Sequence, residues 1–362
     1  MASKPEAGFL VIADLTGYTA YLSGGEIEHA PTIAGDLLET IVGRLEPPFR
    51  LAKFEGDAAF LFVEDGRADP SLLLDALEAS YIAFRRRLRS IERATACTCN
   101  ACGLAPRLDL KFIVHHGPFV RTVIAGREEL AGSAVIVAHR LLKSATVSTA
   151  RINGFVLFTS DAVQALRLDP VALSMAESRE SIEHIGDVAT FVLDLETRWQ
   201  AEGLERRLDG GGGRPLLDLE IDVLADPARS WAHLTSPALR SLWEGPIAIE
   251  EASIGGRRGV GTTSQCVTGR LATLEEIVDW QPFDHAGWRL AVPDVGPVEA
   301  TLDLAAIDSG TRAHLRWRVP EDRELDLDLV ERLVAEKAAA LHRLARLLER
   351  GLATAARTEV LE

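Results

Sequence analysis

Near the start of the chain two acidic residues stand beside apolar runs. Asp14 follows Phe9-Leu10-Val11-Ile12-Ala13, and Asp57 precedes Ala58-Ala59-Phe60-Leu61-Phe62-Val63. A carboxylate at the end of a buried strand is costly unless it is paired or holds a cation. Two of them on neighbouring strands can hold two Mg²⁺ or Mn²⁺ ions through oxygen ligands. The turn Thr16-Gly17-Tyr18-Thr19 after Asp14 offers backbone N–H groups that suit a polyphosphate. These residues point to phosphoryl chemistry on a nucleoside triphosphate. The plainer alternative is a capped helix after Asp14 and a β-turn at Gly56-Asp57. A second cluster is Cys97, Cys99 and Cys102. Thiolates bind Zn²⁺, and a structural site needs a fourth ligand, which His115 or His116 could supply. The alternative is three reduced cysteines without metal; a Cys97–Cys102 redox pair is disfavoured in a cytosolic chain.

The elements that must position these residues follow from periodicity. Residues 32–45 carry Ile33, Leu37, Leu38, Ile41 and Leu45 at helical spacing, and Pro47-Pro48 closes that helix. Residues 49–54 and 58–63 read as a hairpin around Glu55-Gly56-Asp57, with Gly56 suited to the tight turn. A strand–helix–hairpin arrangement brings Asp14 beside Asp57. Residues 70–94 read as a helix, and the run Arg85-Arg86-Arg87 as its solvated face. Residues 108–115 form a strand that ends in a turn at His116-Gly117-Pro118. Glu129-Leu130-Ala131-Gly132-Ser133 is expected to open a helix to about Ala145, capped by Ser133. On that helix Ile136 and Arg140 share a face.

Asp-Leu-Thr-Gly-Tyr-Thr at Asp14–Thr19, Lys-x-x-Gly-Asp at Lys53–Asp57, and a helix with Gly132 and Arg140 together resemble the class III nucleotidyl cyclase catalytic domain. The likeness spans roughly residues 8–195. It implies a ferredoxin-like βαββαβ domain, with Asp14 and Asp57 as ligands of two metal ions. It implies that Lys53 and Glu129 read the purine and that Arg140 stabilises the transferring phosphate. A Lys with an acidic partner resembles an adenine reader, so conversion of ATP to cyclic AMP and pyrophosphate is implied; Glu129 where Asp is usual leaves the base open. Ile136 occupies the position of an asparagine donor. Losing one preorganised donor typically costs about 10²–10³-fold in rate. The family site lies between two subunits, so a homodimer is implied. The alternative is a catalytically inactive nucleotide- or small-ligand-binding sensor.

The other half reads differently. Residues 199–215 are polar and contain Gly210-Gly211-Gly212-Gly213, as in a flexible linker between domains at 1–198 and 216–362. From residue 216 come a strand, a helix opened by Asp226-Pro227, a run of short strands, and a long helix from 326 to 357. This order suggests a helix-grip architecture. With Gly259-Val260-Gly261-Thr262 and Val278-Asp279-Trp280 it resembles the START-like, Bet v 1-like superfamily with its polyketide-cyclase-like members. The whole chain is thus expected to be α+β. The resemblance implies a cavity for an unknown hydrophobic small molecule, with Trp243, Trp280, Trp288 and Trp317 as candidate lining. That ligand could regulate the cyclase half.

Composition limits the partners. In 362 residues, 47% hydrophobic and 26% charged content requires a packed protein, and a net charge of −15 argues against nucleic acid or an anionic membrane. No leader and no bilayer-spanning run is visible, and four cysteines make no secreted framework, so a soluble cytoplasmic protein is expected.

Overall fold

The computed structural model describes residues 4–24, 30–67, 69–94, 100–144, 153–202, 212–268 and 271–359. The chain divides into two compact units, Met1–Leu204 and Glu205–Glu362.

The first unit is built on β1 (Glu6–Thr16), whose residues from Gly8 to Leu15 are all buried. A strand covered on both faces reads as an unbroken apolar run, which is why no alternation is seen there. Helices α1 (Tyr18–Gly24) and α2 (Ala30–Leu45) lead to the hairpin β2 (Arg50–Glu55) and β3 (Ala58–Glu64). Helix α3 (Pro70–Ala94) and the short α4 (Asn100–Leu104) precede β4 (Asp109–Ile124). The order β2-β3-β1-β4 then extends through β6 (Phe155–Thr159), β8 (Gly186–Asp194) and β7 (Ala176–Ile182). Among the described residues of this sheet, only the β4–β6 pairing is parallel. β5 (Arg127–Ala131) hairpins back onto β4, and α5 (Ser133–Leu141) packs Ala134, Val137, Ala138 and Leu141 against Leu10, Ile12, Phe60 and Phe62. Helices α6 (Ser160–Ala165) and α7 (Glu196–Glu202) complete this unit.

Three expectations change here. There is no turn at His116-Gly117-Pro118: β4 runs straight through, pairing Gly117 with Gly8 and Phe119 with Glu6. Gly117 is needed for closeness, since a Cβ there would meet Ala134 Cβ at 2.9 Å. Glu129 to Ala131 are strand, not helix. The α5 cap is Gly132 at φ 138°, without a side-chain cap from Ser133. Within the stretch expected as a linker, 199–215, Trp199 is buried within α7 and strand structure resumes at Arg214. The rest of it, 203–211, lies outside the described residues.

The second unit is a seven-stranded antiparallel sheet, β9 (Arg214–Val223), β10 (Ala248–Ala252), β11 (Thr263–Thr268), β12 (Leu271–Gln281), β13 (His285–Val292), β14 (Gly296–Ile307) and β15 (Gly310–Val319), with β9 closing on β15. Helix α8 (Pro227–Thr235) is opened by Asp226, whose carboxylate accepts the Arg229 N–H. Helix α9 (Pro237–Arg240) follows, and α10 (Leu327–Glu359) is the long final helix. Its Leu341, Leu344 and Leu348 meet Val223 and Trp243. The helix-grip order expected from residue 216 is this one.

Candidate active site

Sheet register carries Asp14 to its neighbours. It lies opposite Ala58 on β3 and opposite Lys111 on β4. Asp57 directly precedes Ala58, and its carbonyl accepts the Leu15 N–H at 3.2 Å. The two acids thus stand at adjoining strand ends although the hairpin is far away in sequence. Asp14 is 9% exposed. Burial pushes its carboxyl above the usual range, the Lys111 ammonium 2.9 Å from Oδ2 pulls it back, and the Asp57 charge pushes it up again. Two carboxylates with nearby backbone carbonyls are hard oxygen donors that fit Mg²⁺ or Mn²⁺. Lys111 is a cation already on one of them, and the sequence reading missed it. The β1–β4 pairing that brings it there has no local signature. Among the described residues no group of three or more His, Cys, Asp or Glu could hold a metal. A metal ion held there would need further ligands from backbone or water.

In the turn that follows, Gly17 adopts φ +89°, Thr16 and Thr19 are exposed, and Tyr18 opens α1 half-buried.

Lys53 and Glu129, far apart in sequence, meet: Nζ donates to Glu129 Oε2 at 2.8 Å. Glu55 lies 3.2 Å from the same nitrogen. The hydrogen bond to Glu129 is the main reason the Lys53 ammonium holds its proton above the usual range. Glu55 in turn contacts His139 Nε2 at 2.8 Å, and His139 Nδ1 faces the Val135 carbonyl at 2.8 Å. A chain His139–Glu55–Lys53–Glu129 therefore crosses α5, β2 and β5. Strand alternation could have found Glu55, two positions from Lys53 and so on the same face. Phe54, on the other face, is half exposed, as are Val123, Ile124 and Ile136.

Arg140 and Ile136 lie on the exposed side of α5, as expected from their spacing. Arg140 has no ion pair with another described residue, and Ile136 presents only hydrocarbon there.

His115 is a core residue. Its Nδ1 is 2.9 Å from Thr159 Oγ1, and burial lowers its imidazole to about 4. His116 pairs with Asp65 at 2.9 Å. Cys97 and Cys99 lie outside the described residues, as does the side chain of Cys102.

In the second unit a narrow cavity between sheet and α10 is lined by Trp243, Trp288 and Trp317 with Leu302, Leu315 and Leu341. Trp280 is not part of it; it packs edge-on against Trp231, ring centres 4.6 Å apart.

Residues 34–150 match the model of a family described as a protein of unknown function (DUF2652), and residues 215–349 match polyketide cyclase / dehydrase and lipid transport. Over 161 residues the chain is 30% identical to "Uncharacterized protein Rv2561/Rv2562" of Mycobacterium tuberculosis, which covers 44% of this chain and 73% of that protein. The chain belongs to that protein's family. Among solved structures it is similar to the adenylyl cyclase CyaB from P. aeruginosa, at 16% identity, 54% of this chain, 97% of that one and a TM-score of 0.40. The guanylyl cyclase Cya2 is similar at 15% identity, 53% and 93% coverage and a TM-score of 0.40. Protein CV1439 from Chromobacterium violaceum is similar at 17% identity, 37% and 96% coverage and a TM-score of 0.31. With the strand order and register above, the chain is α+β, and its second unit is the part that matches polyketide cyclase / dehydrase and lipid transport. Among the described residues no helix is long and apolar enough to cross a membrane.

Proposed function

We propose that the first unit is a nucleotidyl cyclase acting on a nucleoside triphosphate, ATP in the first instance, and that the second unit binds a small apolar molecule that regulates it. One observation carries this: Asp14 and Asp57 converge at adjoining strand ends in the same unit that pairs Lys53 with Glu129. In the reaction the 3′-oxygen bonds to the α-phosphorus, the bond to pyrophosphate breaks, and the hydroxyl proton leaves to solvent. Asp14 and Asp57 would hold the divalent ions. When bound, such ions neutralise phosphate charge and acidify the hydroxyl. Lys53 donates to a purine ring nitrogen or carbonyl, and Glu129 accepts from an amino group. Arg140, exposed on α5, places its guanidinium on the phosphates of a nucleotide held against a second copy. The exposed apolar Phe54, Val123, Ile124 and Ile136 of this unit favour such a homodimer.

The test is turnover of ATP and of GTP by the full chain with Mn²⁺, against Asp57→Ala. Cyclic product that vanishes with Asp57→Ala supports the reading, and turnover that survives the substitution overturns it. Ile136 favours a second reading, a module that holds nucleotide without converting it. Nucleotide binding without product selects that one.

A further inference from the structure

Lys53 stands between two carboxylates, one more than a purine reader needs. Nζ lies 2.8 Å from Glu129 Oε2 and 3.2 Å from Glu55 Oε1. The Glu129 and Glu55 side chains are 31% and 29% exposed, within reach of a ligand. Lys53 and Glu129 line a groove together with Arg127 and Leu130. The two carboxylates differ in what they have left to offer. Glu129 Oε1 has no partner among the described residues. Glu55 has no oxygen to spare, because Oε2 lies 2.8 Å from His139 Nε2. The other ring nitrogen, Nδ1, lies 2.8 Å from the Val135 carbonyl oxygen. A carbonyl and an ionised carboxylate only accept, so both ring nitrogens donate and His139 is an imidazolium. The Phe60 ring meets it edge-on, centres 4.9 Å apart, and braces it toward Glu55.

The two common purines ask different things of such a group. Adenine presents its 6-amino group, a donor, beside ring N1, an acceptor. Guanine presents its 6-carbonyl oxygen, an acceptor, beside N1–H and the 2-amino group, two parallel donors. Lys53 with Glu129 suits adenine: Nζ donates to N1, and Oε1 accepts from the amino group. Lys53 with Glu55 suits guanine: Nζ donates to the carbonyl oxygen, and both carboxylate oxygens accept from the paired N–H groups, a bidentate fit. His139 already holds one of those two oxygens. Guanine would have to displace it and leave a half-buried imidazolium without its acceptor. Stripping a polar group of its partner is how a site rejects a close analogue.

We infer that His139 is a specificity-determining residue: by holding Glu55 it closes the guanine arrangement and leaves adenine as the base that Lys53 and Glu129 take. This rests on the proposed reading of Lys53 and Glu129 as the base reader. It goes beyond that reading in giving Glu55 and His139 a role and in naming the residue that turns guanine away.

The test uses the α,β-methylene analogues of ATP and GTP, which cannot release pyrophosphate, and inorganic tripolyphosphate, which has no base. Their affinities for the full chain are measured by calorimetry with Mn²⁺. The parent should bind the adenine analogue about tenfold tighter than the guanine analogue, or more. His139→Leu should tighten the guanine analogue by about tenfold and leave the adenine analogue within about threefold. Adding Glu55→Gln to His139→Leu should remove the guanine gain, and His139→Lys, which keeps a cation on Glu55, should keep the parent preference. Tripolyphosphate should stay within about threefold throughout, which a general loosening of α5 would not leave unchanged. Where His139→Leu does not fold, His139→Asn, too short to reach Glu55, takes its place. A parent that prefers guanine or binds both analogues alike, an adenine preference that survives loss of His139, or a guanine gain that survives Glu55→Gln overturns the His139 assignment and leaves the base reader standing. A parent that binds neither analogue tighter than tripolyphosphate overturns the base reader itself, and the inference with it.

Discussion

Lys111→Met should strengthen divalent-cation binding at Asp14. The ammonium lies 2.9 Å from Asp14 Oδ2, and the two side chains are only 15% and 13% exposed. A metal on that oxygen would lie about 4–5 Å from Nζ, where two unit charges repel by about 4 kcal/mol at an effective dielectric of 20. The double charge of the ion increases the repulsion, while the flexible Lys stem swinging toward water relieves much of it. A net gain of about 1.4–3 kcal/mol, tenfold to about a hundredfold in affinity, is the expected balance. One effect opposes it. Burial raises the Asp14 carboxyl and Lys111 holds it down, so removing Lys111 lets a proton compete with the metal. Working at about pH 8 suppresses that competition. The assay is Mn²⁺ titration followed by electron paramagnetic resonance, on the parent, on Lys111→Met and on Lys111→Met with Asp57→Asn. The gain should appear in the single variant and disappear in the double one. Equal affinity in parent and single variant, or a gain that survives Asp57→Asn, would refute the placing of a cation between the two acids.

Other outcomes are expected alongside. Ile136→Asn restores a donor on the exposed face of α5 and should raise cyclase rate by about 10²-fold where that donor limits turnover; an unchanged rate in a stopped assay counts against that role. Gly154→Ala should lower stability by about 3 kcal/mol or more in urea unfolding, since Gly154 sits at φ +60° and a Cβ would lie 1.9 Å from the Tyr81 hydroxyl; a near-neutral variant would show that β6 can shift. His285 supplies a pH signature. Burial lowers its imidazolium, but Asp279 at 3.5 Å and Asp303 at 2.8 Å outweigh that and raise it to about 9. Its folded value exceeds its unfolded value, so it stabilises fully below about pH 6.5, and this is lost as pH rises through about 9, on the order of 3 kcal/mol in all. Unfolding free energy from pH 6 to 10 should show that loss in the parent and not in His285→Gln. His115 runs the other way: buried neutral with its value near 4, it stabilises above about pH 6.5 and fails as pH falls toward 4. An acid-unfolding midpoint unmoved by His115→Gln would contradict its assignment as an uncharged core residue.

Much of the architecture could be read from local pattern. The helix expected over 70–94 spans Pro70–Ala94, and the hairpin around Glu55-Gly56-Asp57 is β2–β3. These succeed because period and turn chemistry act within a few residues. The strand end at His116-Gly117-Pro118 failed for the same reason. Gly and Pro punctuate a chain locally, but here β1 holds β4 extended through them, and Gly117 serves close approach to Ala134. Glu129 was placed at a helix start and lies in β5, where it meets Lys53.

Residue type and order along the chain marked Asp14 and Asp57 as candidates, because hard-cation chemistry restricts which side chains will serve, and the resemblance added Lys53 and Arg140. Type and order were not enough to show Lys111 beside Asp14, His139 behind Glu55, or Lys337 closing on Glu244 from α10. Those contacts join positions dozens of residues apart. They exist only once register, helix placement and burial have brought the groups within hydrogen-bond reach, and an ion pair leaves no period in the residues around it.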